Sequence, residues 1–120
     1  MTTPQRPAAL DALPAVVTRY LAAHRVHDTA ATLALFAPGA SVADDGAVYE
    51  GTAAIEGWLD RLASPSGFTY TSTPTGAERS GPDSWTVAQR VEGDFPGGTV
   101  DLSFRFTLRG DLVERLVIEV

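Results

Sequence analysis

Two periodicities share the chain: apolar positions recur at helical spacing in the first half and alternate in the second. From Leu10, the run Leu10, Leu13, Val17, Tyr20, Leu21, His24 lays one buried stripe along a first helix. Pro14 is tolerable only in the first turn of that helix, so the helix starts near it. Asp28 in "HDTAATLALF" reads as the N-cap of a second, short helix through Leu33 and Phe36, stopped by Pro38-Gly39. "ASVAD" and "AVYE" are two short extended pieces around Asp45-Gly46, a type I′ hairpin signal. Gly51-Thr52 opens a third helix with Ile55, Trp58, Leu59 and Leu62 on one side, ended by Ser64-Pro65. Residues 1–8, polar and proline-bearing, are expected to form a loose tail.

Beyond the third helix the period changes to two. "FTYTSTPT", "SWTVAQRVEG", "TVDLSFRFTLRG" and "LVERLVIEV" alternate apolar with polar, separated by "GAERSGPD", "DFPGG" and "GD". In the third run Val100, Leu102, Phe104, Phe106 and Leu108 share one face, while Asp101, Ser103 and Arg105 share the other. These are half-buried strands of an antiparallel sheet joined by hairpins. Three helices on a curved antiparallel sheet make an α+β domain, and a strongly bent sheet leaves a conical space fit for a ligand.

Length and composition then narrow the picture. The 120 residues make one domain, 1–120, with 44% hydrophobic and 20% charged residues, an ordinary globular balance. No cysteine is present, which excludes disulfides, thiolate metal sites and a cysteine nucleophile. The net charge is −6, and all nine basic residues are arginines scattered singly from Arg6 to Arg115. Without a basic cluster, nucleic acid is not expected as a partner. No run approaches the roughly 18 apolar residues of a membrane span, and the N-terminus lacks a signal pattern, so no membrane contact and a cytoplasmic location are expected. No metal-ligand spacing, phosphate-binding glycine loop or Ser/His/Asp arrangement stands out; no metal and no cofactor are expected.

The candidate chemistry lies on the first helix and the hairpin. "AVVTRYLAAHRVHDTAATLALFAPGASVADDG" followed by "YEGTAAIEGWL" resembles the nuclear transport factor 2-like superfamily. Within it the stretch is most similar to bacterial steroid Δ5-3-ketoisomerases and SnoaL-type polyketide cyclases. The likeness is close over residues 15–60 and weak over the sheet, apart from "FRF" at 104–106. It implies a cone of three helices on a curved sheet, an apolar or aromatic small-molecule ligand, and a homodimer. The isomerases use a tyrosine on the first helix as oxyanion donor, an aspartate on the first short strand as proton carrier, and a protonated aspartic acid on a late strand. Tyr20 falls on the tyrosine and Asp44 on the base. Leu102 stands where the late-strand acid would be, with Asp101 one residue off and so on the opposite face. Losing that donor unreplaced costs roughly 10²–10³ in rate, which favours a related carbonyl or polyketide substrate over a steroid.

Each candidate has a plainer reading. Adjacent carboxylates before a glycine are ordinary turn chemistry, and alternation divides the pair: Asp44 shares the face of Val42, while Asp45 belongs to the turn. Tyr20 could be a core ring. His24, one turn further on the same face, could be a core or rim residue, and the isomerases carry an apolar residue there. Trp58, Phe36, Phe68, Trp85, Phe104 and Phe106 are core by default, and some would line the cone. The expectation is a carbonyl-adjacent proton-transfer enzyme, isomerase or cyclase, with Asp44 and Tyr20 catalytic and His24, Phe36, Trp58, Leu102 and Phe104 around the ligand. The alternative is a non-catalytic small-ligand-binding or dimeric accessory domain of the same fold.

Overall fold

The computed structural model describes residues 10, 12–63 and 70–120. The expected tail, the helix stop at Ser64-Pro65 and Phe68 lie outside them. Helix α1 (Ala15–Arg25) begins directly after Pro14, whose φ of −57° and missing N–H suit the N-cap position. Leu10 and Leu13 therefore precede the helix, and Leu13 still packs on the core. Val16, Val17, Tyr20 and His24 are the buried face of α1. The Asp28 carboxylate accepts the Ala31 N–H at 3.1 Å and caps α2 (Thr29–Leu33), as its position implies.

Phe36 is not the last residue of that helix. Strand β1 (Phe36–Asp44) starts there, and Pro38-Gly39 sit in an irregular part of the strand rather than stopping a helix. Gly39, at φ +76°, absorbs the irregularity. β1 returns through Asp45-Gly46 into β2 (Ala47–Glu50), with φ values of +53° and +79°, the type I′ signature. Helix α3 (Thr52–Leu62) buries Ile55, Trp58 and Leu59.

The second half forms β3 (Tyr70–Gly81), β4 (Ser84–Gly93), β5 (Thr99–Arg109) and β6 (Leu112–Glu119). Most of "GAERSGPD" is strand, not a separator, with register shifts beside Pro74 and Gly81. Proline is tolerated there because β3 is an edge strand. The order is β2-β1-β6-β5-β4-β3, and β1 runs parallel to β6 while the other pairs are antiparallel. The sheet is thus mixed rather than purely antiparallel: α3 and further strands intervene between β1 and β6, the long crossover that a parallel pair requires.

Register fixes what faces the helices. One row across the sheet reads Val42, Leu116, Phe106, and the next reads Asp44, Ile118, Phe104, Val87. Tyr20 of α1 packs edge-on against Phe106 with centroids 5.1 Å apart, so the aromatic column joins the first helix to the sheet. The opposite sheet face is polar. Arg90 and Asp101 pair there at 3.3 Å, both largely exposed (53% and 72%), too wet to add much stability.

The junction into α3 rests on Gly51, at φ 88° and ψ 164°, a region essentially closed to side-chain-bearing residues. Its N–H donates to the Ala40 carbonyl at 2.9 Å, which holds the conformation. A methyl group there would meet nothing within 4 Å, so the effect of Gly51→Ala is backbone strain alone. A loss of about 1–3 kcal/mol is expected, read as a lower urea midpoint at unchanged slope.

Candidate active site

At the hairpin end of the sheet, the strands and helices leave an open cavity of about 580 Å³. Its floor is apolar: Ile118 of β6, Phe104, Leu102 and Val100 of β5, and Val91 of β4. His24 comes from α1, Arg61 and Leu62 from the last turn of α3, and Tyr70 and Ser72 from β3. Asp44 and Asp45 close the hairpin side.

Asp44 reaches the cavity by strand alternation. Val42, two residues back, is fully buried, and Asp44 continues the same face beside Ile118. The Trp58 indole N–H donates to Asp44 Oδ2 at 3.0 Å, bringing α3 onto the end of β1. Among the described residues, Oδ1 takes no hydrogen bond. One oxygen is therefore fixed, and no described residue holds the other. Trp58 itself stacks on Tyr49, 6.1 Å between centroids, and the Arg61 guanidinium lies over the Tyr49 ring at 5.2 Å. Asp45 is exposed and carries the positive φ of the turn, yet still borders the rim.

His24, 7% exposed, stacks on Tyr20 at 5.5 Å and meets the edge of Phe104 at 6.0 Å. Burial, with a smaller contribution from His27, lowers its pKa to about 4, so the ring is neutral at neutral pH. Its Nε2 is buried without a hydrogen-bond partner among the described residues. The Tyr20 hydroxyl is likewise buried and has no partner among the described residues, on a residue with 0% exposure. Burial first, then Tyr70 and Asp44, push its pKa well above the usual tyrosine range.

Asp44, His24, Leu102 and Phe104 meet at the cavity. Tyr20, Phe36 and Trp58 do not line it: Tyr20 stacks behind His24, Phe36 packs edge-on to Tyr20 at 5.9 Å, and Trp58 stands behind Asp44. Tyr70, on the wall, and Gln89, a buried residue that does not line the cavity, lie outside the candidates read from the sequence. Tyr70 lines the cavity, and burial followed by the Asp44 charge raises its pKa. Gln89 is a polar residue at an inward position between Val87 and Val91, a signal present in the alternation itself. Asp101 points outward, toward Arg90.

The neutral state of His24 has a measurable consequence. Its folded pKa lies below the ordinary value of 6.5, so the unfolded chain takes up the proton first as pH falls. The stability it confers is complete above about pH 6.5 and drains away toward pH 4. That amounts to roughly 3 kcal/mol across the window. Urea midpoints between these limits should therefore fall with acidification, and the slope should flatten in His24→Phe.

Among the described residues, no three His, Asp or Glu side chains gather as a metal site requires, and no helix is long and apolar enough to cross a membrane. No family model and no curated protein matches the chain. Solved structures do. A candidate polyketide cyclase from Sinorhizobium meliloti is 35% identical, with a TM-score of 0.82 over 92% of this chain and 98% of that one. A Catenulispora acidiphila protein with a ketosteroid isomerase-like fold, solved with trimethylamine, is 24% identical with a TM-score of 0.77 over 89% and 85%. A Mycobacterium tuberculosis protein solved with estradiol-17β-hemisuccinate is 20% identical, with a TM-score of 0.71 over 97% and 95%. The last two share the fold; the first shares sequence across nearly its whole length. The chain belongs to the nuclear transport factor 2-like superfamily, among its SnoaL-like and ketosteroid-isomerase-like members.

Proposed function

We propose that the protein is a small-molecule enzyme that moves a proton next to a carbonyl, acting on an apolar or aromatic ligand held in the cone. One observation carries the reading: Asp44, on the wall of a largely apolar cavity, has one carboxylate oxygen held by Trp58 and the other without a partner among the described residues. Asp44 Oδ1 takes a proton from the carbon beside the carbonyl. The C–H pair becomes the enolate double bond and the carbonyl π pair moves to oxygen. Return of the proton to another carbon completes an isomerisation. Attack of the enolate carbon on a second carbonyl, with the proton passed to the new alkoxide, completes a cyclisation. Tyr20 is the oxyanion donor of this scheme, and its unpartnered hydroxyl suits the role once a ligand reaches it past His24.

The likeness to a candidate polyketide cyclase, and to a fold relative that binds a steroid ester, supports this substrate class. A cytoplasmic homodimer is part of the same reading, with the polar sheet face carrying Arg90 and Asp101 left for the partner copy. A binding module without turnover is the second reading, favoured by Tyr20 lying off the cavity wall. Solvent-deuterium exchange into 3-cyclohexen-1-one, followed by NMR, separates the two. The enzyme reading expects exchange by the wild type and its loss in Asp44→Asn; equal rates in both proteins remove Asp44 from the mechanism.

A further inference from the structure

The cavity wall carries one charge that the proposed chemistry leaves unused. Among the described residues lining it, Asp44 and Asp45 are carboxylates, His24 is neutral near pH 7, and Arg61 is the one cation. Arg61 sits in the last turn of α3 and is exposed, so a ligand entering the cavity can reach it. Its helix supplies no counter-ion: the positions three and four residues back, where an acid would pair with it, are Trp58 and Gly57. Neither Asp44 nor Asp45 pairs with it, and none of its N–H groups is taken by a hydrogen bond or ion pair among the described residues.

The side chain is nevertheless placed. The guanidinium lies over the Tyr49 ring at 5.2 Å, and Tyr49 stacks in turn on Trp58. Nη1 is 3.7 Å from where a Cβ on Gly57 would stand, so the chain folds back along α3 instead of extending into water. Stacking occupies a face of the guanidinium and leaves its edge, which carries the five N–H donors. That edge matches a carboxylate, which it grips by two parallel hydrogen bonds. Contacts run from Arg61 through Tyr49 and Trp58 to Asp44, so two rings separate the cation from the candidate base. An anion seated at Arg61 is thereby kept away from the Asp44 charge, which would repel it nearer the hairpin.

We infer that Arg61 selects ligands bearing a carboxylate: an aromatic acid or keto acid docks its carboxylate on the guanidinium, and its apolar body lies along Leu102, Phe104 and Ile118. This deepens the proposed function and rests on the cavity being its ligand site, but not on Asp44 moving a proton. With Asp44 and Asp45 alone the cavity would reject an acid. Arg61 turns that rejection into a preference.

The test is binding, which needs no turnover. 2-Naphthylacetic acid and its methyl ester share a two-ring body and differ by the charge. At pH 7 and low salt, wild type is expected to bind the acid about five- to tenfold more tightly than the ester, by titration of ligand fluorescence. Salt at about 0.5 M should erase most of the difference, because the pair is exposed. Arg61→Gln should lose the preference while keeping the ester affinity, and Arg61→Glu should bind the acid more weakly than the ester. Equal affinity for acid and ester in wild type overturns the inference and leaves the cavity a ligand site, as does a preference that survives Arg61→Gln. A parallel loss of acid and ester in Arg61→Gln overturns it too, because the side chain then only shapes the wall. If neither compound binds wild type, the ligand-site reading fails and this inference falls with it. Acid preference without ketone proton exchange sinks the catalytic reading and keeps this one.

Discussion

Asp44→Asn is expected to slow proton exchange into an unsaturated ketone by roughly 10²–10⁴, the span that a positioned general base contributes. The substitution is close to isosteric, and the amide oxygen it introduces can still accept the Trp58 N–H that Asp44 Oδ2 now accepts at 3.0 Å. Fold and cavity shape should therefore survive, and ligand affinity should change far less than turnover. What disappears is the basic lone pair of Oδ1, which faces no other partner among the described residues. Asp101→Asn is the matched control: that carboxylate lies on the outer sheet face, beside Arg90, and its rate should equal wild type. A comparable loss in both variants would point to a general charge effect instead of a base.

How far the sequence anticipates this geometry depends on the range of the interaction that decides it. The division of Asp44 from Asp45 follows from two local rules, strand alternation after Val42 and positive φ before Gly46, and both operate within a few residues. The Asp28 cap and the Gly51 start are local in the same sense. Phe36 reads as helix because "TLALF" continues a helical spacing, while its partner in the structure, Val113 on β6, is remote in sequence. The parallel β1–β6 pair is illegible for the same reason: nothing in "FAPGASVAD" or "LVERLVIE" specifies strand direction. Tyr70 joins the site only because β3 returns to the hairpin end of the sheet, a fact of topology rather than of composition. Gln89 is different, since a glutamine between two inward valines is visible in the sequence. Its neighbour is not: only the register with β5 sets it opposite Leu102.

Phe106→Ala is expected to have the largest effect on stability, a loss of about 3–5 kcal/mol. The ring is fully buried in a row with Val42 and Leu116, is met edge-on by Tyr20 at 5.1 Å, and is flanked by Phe104 at 6.4 Å. Removing it leaves a void walled by strands hydrogen-bonded on both sides, which cannot close in, so the cavity term adds to the lost burial. For a domain of this size the melting temperature should drop by roughly 10–20 °C. Phe104→Ala is the informative comparison. That ring is as deeply placed, at 2% exposure, but it already borders the open cavity, so its removal enlarges an existing space. Its loss should be clearly smaller than that of Phe106→Ala. The difference measures how far the protein has given up packing around Phe104 for room to hold a ligand, and equal losses in the two variants would mean that the cavity is collapsed in solution.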